Sequence, residues 1–269
     1  MESGRKHLSI SQLNMMSRCG EQYRRRYVMG EKIPPGISLV VGRAVDGSVN
    51  RNLQRVIDGA GLMSFQEVLD TAAGEFDNSF KETEVMFTPD ESIEGVGRVV
   101  GAAKDKAIRL SSLHATYAAP SIRPTHIQRE VRVEIPDSPM DLIGYIDVQE
   151  GTTAIRDTKT AAKTPPANTA DKSDQLTIYA MMGYVLDGAI PDRLVLDYLV
   201  DTKVPKYAPF ISTRTLDDFN PVLRRIEAAL MALEKGVFIP AQETDWGCSP
   251  RWCGYWETCQ YTKRQRPTN

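Results

Sequence analysis

The sequence predicts an α/β fold in which a central mixed β-sheet carries the chemistry and helices flank it. Three observations lead there. Two β-type runs, 142–148 and 153–158, are separated by Glu150-Gly151, a hairpin turn in which Gly accepts positive φ. Further β-type runs fall at 125–135, 194–200 and 208–212. Between and around them, apolar residues recur at helical spacing over 41–57, 64–80, 94–114, 173–186 and 216–235.

The hairpin concentrates ionisable side chains at its ends. Asp147 closes the first run, and Asp157 and Lys159 close the second, two residues apart. Residues i and i+2 of a strand share a face, so Asp157 and Lys159 leave the sheet together and Asp147 approaches from the neighbouring strand. Two converging carboxylates suit a hard divalent cation such as Mg2+ or Mn2+, which prefers oxygen ligands. A lysine beside that ion can hold or deprotonate water, or stabilise a developing oxyanion. This is the chemistry of phosphodiester hydrolysis. Taken alone, the same residues also fit an ordinary solvated sheet face, so the rest of the chain decides.

Composition narrows the class. The chain has 269 residues, 41% of them hydrophobic, enough for one large domain or two small ones. Mean hydropathy is −0.34 and no apolar run is long enough to span a bilayer. The N-terminal MESGRKHLSI lacks an apolar core, so no secretory signal is expected and the protein is read as cytoplasmic, in a prokaryote or a phage-infected host cell. The net charge of −2 gives no global sign of a nucleic-acid partner, so any DNA contact requires local basic patches. In that setting four cysteines point to metal or free thiols rather than disulfides.

Along the chain, 8–30 reads as two short helices. Ser9 and Gln12 form a capping box, and Arg24, Arg25 and Arg26 follow with Tyr23 and Tyr27 one turn apart. That basic stretch reads either as a phosphate-facing patch with aromatic platforms or as a solvated helix face with tyrosines in the core. In the 41–57 helix Asp46 adjoins the stripe of Val45, Val49, Leu53 and Val56, where a third metal carboxylate can point inward; as a lone residue it would sit on the helix surface. The acidic stretch 81–92 reads as a loop, as does 164–167. Glu130 alternates with Val131 and Val133 and faces either the aspartates or solvent. Gln175 and Tyr179 share a face of the 173–186 helix. With three histidines, isolated as His7, His114 and His126, a His-rich metal site is not expected.

The tail WGCSPRWCGYWETC holds Cys248, Cys253 and Cys259 within twelve residues, and Cys19 is the only other cysteine. Four thiolates can close an all-cysteine site for a [4Fe–4S] cluster or a structural Zn2+. The uneven spacing differs from the paired C-x2-C knuckles usual for zinc and favours iron–sulfur. Buried free thiols are the alternative.

With these motifs together, from Leu8 to Cys259, the chain resembles the RecB-like branch of the PD-(D/E)xK nuclease superfamily, especially the iron–sulfur exonucleases associated with CRISPR systems and their phage relatives. The resemblance is carried by Ser9-x-Ser11-x-Leu13 ahead of Cys19, Gly42-x-x-x-Asp46, Gly144-Tyr145-Ile146-Asp147, Asp157-Thr158-Lys159-Thr160, Gln175-x-x-x-Tyr179 and the last three cysteines. It implies a restriction-endonuclease-like core in a single nuclease domain, with a helical subdomain over about 42–120, the nuclease core over about 121–235 and the segment 246–259 joined to Cys19 by a four-cysteine cluster.

It also implies roles. Asp147, Asp157 and the Thr158 carbonyl would bind Mg2+ or Mn2+, with Asp46 where the family usually has histidine. Lys159 would orient or activate water, Gln175 would position that water or a phosphate, and Tyr179 would touch DNA; Arg24 and Arg25 of the basic patch are the other candidate DNA contacts. Cys19, Cys248, Cys253 and Cys259 would hold [4Fe–4S]. The implied activity is metal-dependent exonuclease action on single-stranded DNA or DNA ends, with protein partners in recombination, CRISPR adaptation or phage DNA processing. A non-catalytic DNA-end-binding module and a zinc-bound adaptor are the other readings.

Overall fold

The computed structural model describes residues 6–262; part of the N-terminal stretch on which the expectation of no export signal rests lies outside that span. In chain order the elements are β1 (Lys6–Ser9), α1 (Ile10–Arg18), α2 (Gly20–Tyr23), a π-helical turn (Arg24–Val28), α3 (Ile37–Ile57), α4 (Phe65–Glu82), α5 (Pro89–Glu94), α6 (Val96–Tyr117), β2 (His126–Glu134), β3 (Met140–Glu150), β4 (Ala154–Ala161), α7 (Asp174–Asp187), β5 (Arg193–Val200), β6 (Lys206–Ser212) and α8 (Phe219–Lys235). The helical spacings and β-type runs of the sequence therefore become helices and strands. Two expectations change. The acidic loop at 81–92 contains the start of α5, whose capping box pairs Thr88 with Glu91 and whose first residue is Pro89. The basic helix expected after Glu21 ends at Tyr23 and continues as a wider turn, with Met29 N–H donating to Arg24 O at 2.9 Å.

The chain forms two compact units, residues 1–33, 134–143 and 220–269 in the smaller and 34–133 with 144–219 in the larger. A single nuclease domain split near residue 120 is a different partition of the same chain: both the helices of 37–117 and the strands from 144 onward belong to the larger unit.

In the larger unit a mixed sheet is flanked by helices. The second half of β3 pairs antiparallel with β4, in register Val148 to Arg156; β4 pairs parallel with β5, Asp157 opposite Leu196 and Lys159 opposite Tyr198; β5 pairs antiparallel with β6, and β2 pairs β3. The parallel β4–β5 step needs a crossover, and α7 supplies it. Ser173 caps the start of α7 and Gly188, at φ 74°, ends it in the left-handed conformation. Three long helices, α3, α4 and α6, pack on one another. Val40, Val45 and Leu53 of α3, Phe76 of α4 and Leu110 of α6 join Val148 and Leu199 of the sheet in one apolar core. Met182 of α7 is fully buried, whereas Val185 is 57% exposed, because the last turn of the helix emerges from the core.

One buried polar network was not anticipated. Arg156 of β4 donates to Glu150 at 2.6 Å and to Asp197 at 3.1 Å, and the Tyr207 hydroxyl donates to Asp197 at 2.5 Å. Arg156 precedes Asp157, so in the alternating strand it points to the opposite face. His114 of α6 is fully buried with neither ring nitrogen hydrogen-bonded, and burial lowers its pKa to about 4 against the opposing pull of Asp197.

In the smaller unit β1 pairs parallel with the first residues of β3, from Lys6–Met140 to Ser9–Ile143. The Ser9–Gln12 capping box starts α1 in both of its hydrogen bonds. Gly20 has no room for a side chain, since a Cβ would lie 2.6 Å from Ile239 N; its N–H donates to Ile239 O at 2.7 Å. Among the described residues no helix is long and apolar enough to cross a membrane.

Candidate functional site

Five elements of the larger unit aim polar side chains at one place: Asp46 from α3, Gln128 from β2, Asp147 from β3, Asp157 and Lys159 from β4, and Gln175 and Tyr179 from α7. Asp147 neighbours the registered pair Val148–Arg156, which puts it beside Asp157 across the hairpin. Asp147 Oδ2 accepts from the Thr158 N–H at 3.1 Å. Asp157 is fully buried. Its Oδ1 accepts from Gln175 Nε2 at 2.8 Å, and its Oδ2 lies 2.7 Å from Lys159 Nζ as an ion pair, without an aligned hydrogen bond. Gln128 Nε2 bridges Asp46 Oδ1 at 3.3 Å and Asp147 Oδ1 at 3.4 Å. Glu130, by contrast, is exposed and accepts from the Tyr145 hydroxyl, so it stays out of the site.

The electrostatics match the crowding. Burial and the nearby Asp157 charge push Asp46 up to about 6. Asp147 and Asp157 are both raised, by burial first and then by a neighbouring carboxylate: Asp46 acts on Asp147, and Asp147 acts on Asp157. For Lys159, burial works against the charge, but the carboxylates of Asp157 and Asp147 outweigh it and hold the ammonium above its usual value. Three mutually repelling carboxylates with one cation are short of positive charge, which is the condition a divalent ion relieves.

Among the described residues, no three His, Cys, Asp or Glu side chains stand around a single point as metal ligands. The donors explain why at this site: the Gln128 and Gln175 amides and the Lys159 ammonium occupy the inner oxygens of the three aspartates. The residues nonetheless fit Mg2+ or Mn2+ in kind. They offer oxygen atoms only, and Asp157 Oδ2 is buried with no aligned donor. Asp46, Asp147 and Asp157 would hold the ion; Thr158 is seen to contribute its N–H.

The three expected DNA contacts, Tyr179, Arg24 and Arg25, have partners within the protein. Tyr179 is 3% exposed, and its hydroxyl donates to Tyr145 O at 2.5 Å and accepts from Gln175 Nε2 at 3.0 Å. It therefore braces Gln175 against β3 and has no ring face left for a base. Arg24 and Arg25 are already neutralised within the smaller unit. Arg24 grips Glu21 through two nitrogens at 2.7 and 2.8 Å, and Arg25 pairs Glu31 at 2.6 Å while its guanidinium lies 4.8 Å from the centre of the Tyr255 ring.

Two contributors escaped the sequence. Gln128 has φ 48°, left-handed for a non-glycine residue inside a strand. That kink turns Gln128 onto the aspartates. Arg214 is the second: its guanidinium donates to Thr177 Oγ1 at 2.7 Å, Thr213 O at 2.7 Å, Ser212 Oγ at 2.6 Å and Ala170 O at 2.8 Å. It ties the start of α7, and so Gln175, to the end of β6. Arg214→Ala leaves several of these acceptors unsatisfied and is expected to cost about 3 kcal/mol in stability. Urea denaturation of the two proteins checks this.

The four cysteines come together in the smaller unit. Cys19, Cys248, Cys253 and Cys259 line one cavity of about 20 Å³. None of the four is in a disulfide. Ala241 N–H donates to Cys19 Sγ at 3.3 Å and Gln22 Nε2 to Cys253 Sγ at 3.1 Å, contacts that favour sulfur carrying negative charge. Burial raises the Cys248 thiol, and Cys253, Cys19 and Cys259 raise it further, so the four sense one another.

A family model for the PD-(D/E)XK nuclease superfamily matches residues 7–260. The chain belongs to the PD-(D/E)XK nuclease superfamily. Nucleases of this superfamily typically use Mg2+ or Mn2+, in keeping with the oxygen-only site. Among solved structures, the crystal structure of a "putative exonuclease" from Eubacterium rectale superposes with a TM-score of 0.60 at 13% identity, covering 98% of this chain and 91% of that one. At that identity the likeness concerns the fold, an α/β arrangement with a mixed central sheet consistent with a restriction-endonuclease-like core. No curated protein matches the sequence.

Proposed function

We propose that this PD-(D/E)XK protein is a Mg2+- or Mn2+-dependent deoxyribonuclease that hydrolyses phosphodiester bonds as an exonuclease on single strands or DNA ends. The observation that carries the proposal is the convergence of Asp46, Asp147 and Asp157 with Lys159 in one site of the larger unit. A bound divalent ion would supply Lewis acidity toward the phosphate and a lowered pKa for the attacking water. The chain's own groups do the rest. The three aspartates hold the ion, and the Thr158 carbonyl is the further ligand proposed. Lys159, whose ammonium is favoured by the Asp157 and Asp147 carboxylates in the metal-free site, would orient or activate the attacking water and counter charge developing on the phosphate. Gln175, braced by Tyr179, fixes the Asp157 carboxylate. Exonucleolytic action is the finer part of the reading and rests on the resemblance to RecB-like enzymes and on the name given to the Eubacterium rectale protein.

The same reading assigns a [4Fe–4S] cluster to Cys19, Cys248, Cys253 and Cys259. A single Zn2+ needs all its sulfurs about 2.3 Å from one centre. Four cysteines line one cavity here, and their uneven spacing in the chain, unlike paired C-x2-C knuckles, is what favours the cluster over zinc.

The test uses DNA labelled at one end, single- and double-stranded, with Mg2+ or Mn2+. The expected result is stepwise shortening from an end, reduced about a hundredfold or more in Lys159→Ala. Full activity in that variant removes Lys159 from the site. Tight DNA binding without turnover favours an end-binding module instead.

A further inference from the structure

Two tryptophans in the tail of the smaller unit are placed where burial gives them no reason to be. Trp246 is 68% exposed and Trp252 59% exposed. A tryptophan ordinarily hides most of its large apolar surface, and leaving two side by side in water is unfavourable unless something covers them. Their rings meet edge to face, centroids 5.7 Å apart with planes at 81°. The Arg251 guanidinium lies 5.2 Å from the centre of the Trp252 ring. Arg18 also belongs to this corner, since a Cβ on Gly247, the residue after Trp246, would lie 3.7 Å from Arg18 Cδ. Both arginines are exposed, and among the described residues neither makes an ion pair, unlike Arg24 and Arg25. Asp245, in the same turn, uses its Oδ1 to accept from the Gly247 N–H at 2.8 Å.

The segment is held in shape from within. Cys248 N–H donates to Asp245 O at 2.9 Å, Cys253 N–H to Ser249 O at 2.9 Å, and Ser249 Oγ to Trp246 O at 3.2 Å. The rings are thus presented by a rigid turn, which lowers the entropic cost of binding.

We infer that Trp246, Trp252, Arg251 and Arg18 form a binding surface for single-stranded nucleic acid. Bases stack on aromatic faces whatever their sequence, and unpaired guanidinium groups take the phosphates. Ring planes at 81° select the strand form. Bases of a duplex are parallel and cannot lie on two perpendicular faces, whereas a flexible single strand can splay its bases onto both. The inference deepens the nuclease reading and rests on it for the kind of polymer, but it concerns a surface that no hydrolytic residue shares.

The test measures anisotropy of a fluorescein-labelled twelve-nucleotide oligo(dT), without divalent metal so that nothing is cleaved. It uses the full cysteine-site-loaded protein, the pair Trp246→Ala/Trp252→Ala and the pair Trp246→Phe/Trp252→Phe. Affinity is expected to fall about tenfold or more in the alanine pair and to recover in the phenylalanine pair. A twelve-base-pair duplex is expected to bind equally to all three. Hydrolysis of bis(p-nitrophenyl) phosphate with Mn2+, which needs no base stacking, is expected to be unchanged in both pairs.

Equal oligo(dT) affinity in the alanine pair overturns the inference. So does a loss that phenylalanine leaves unrestored, and so does wild-type protein that fails to bind oligo(dT), which turns the patch toward a protein partner. If strand binding depends on the tryptophans while wild type hydrolyses nothing, the nuclease reading falls and the surface stands.

Discussion

Asp157→Asn is expected to reduce DNA hydrolysis about a thousandfold or more while making the metal-free protein more stable at neutral pH. The first effect follows from losing the carboxylate that would hold the ion and that pairs with Lys159. The second follows from crowding. In the absence of metal, Asp46, Asp147 and Asp157 all have pKa values raised by burial and by one another, Asp46 to about 6. Raised carboxylates favour the fold while protonated. Their contribution is fully present below the ordinary carboxylate pKa, near 4, and is lost as pH climbs through the raised folded values. Metal-free wild type is therefore expected to lose melting temperature between about pH 5 and pH 8. Removing one charge flattens that slope, and Asn still accepts the hydrogen bond from Gln175. Calorimetry with and without Mg2+ reads both effects: metal restores wild type at pH 8 and leaves Asp157→Asn unmoved. Equal slopes in the two proteins would falsify the electrostatic account of the site.

Cys253→Ala is expected to strip the cysteine site of metal and to lower the melting temperature of the smaller unit by about 10 °C or more, with much of the protein insoluble. Cys253 is 8% exposed and accepts from Gln22, in α2, more than two hundred residues earlier in the chain. A metal group, if Cys19 and the three tail cysteines hold one as proposed, would tie distant segments together, and its binding free energy would become folding free energy. Iron analysis and melting of anaerobically purified protein check this. A variant that melts like wild type contradicts the stapling role, and colourless wild-type protein containing zinc replaces the cluster with a single ion.

Much of this arrangement is legible in the sequence because it depends on local geometry. Asp157 and Lys159 share a face by strand period, Asp147 approaches through a short hairpin, and Ser9 announces α1 through its capping box. Asp46 adjoins Val45, Val49 and Leu53, which pack in the core, but the spacing alone leaves it either inward or on the helix surface. What stayed hidden depends on long-range partners or unusual backbone. Arg24 and Arg25 look like a phosphate patch until Glu21 and Glu31 are seen beside them. Arg214 acts through acceptors some forty residues away at Ala170 and Thr177. The left-handed φ of Gln128 leaves no mark in composition or periodicity, so nothing in the sequence singles Gln128 out. Tyr179 sits in a readable motif, but only its burial assigns it to bracing rather than to DNA.

The central claim is that Asp46, Asp147 and Asp157 bind one catalytic cation in common. Mn2+ binding, followed by electron paramagnetic resonance on wild type and on the three single Asp→Asn variants, addresses it directly. The account predicts a tight Mn2+ site in wild type that weakens at least tenfold in Asp147→Asn and Asp157→Asn, with Asp46→Asn also weakened. Undiminished Mn2+ affinity in Asp157→Asn, alongside continued cleavage of DNA, would place the ion elsewhere and contradict the account.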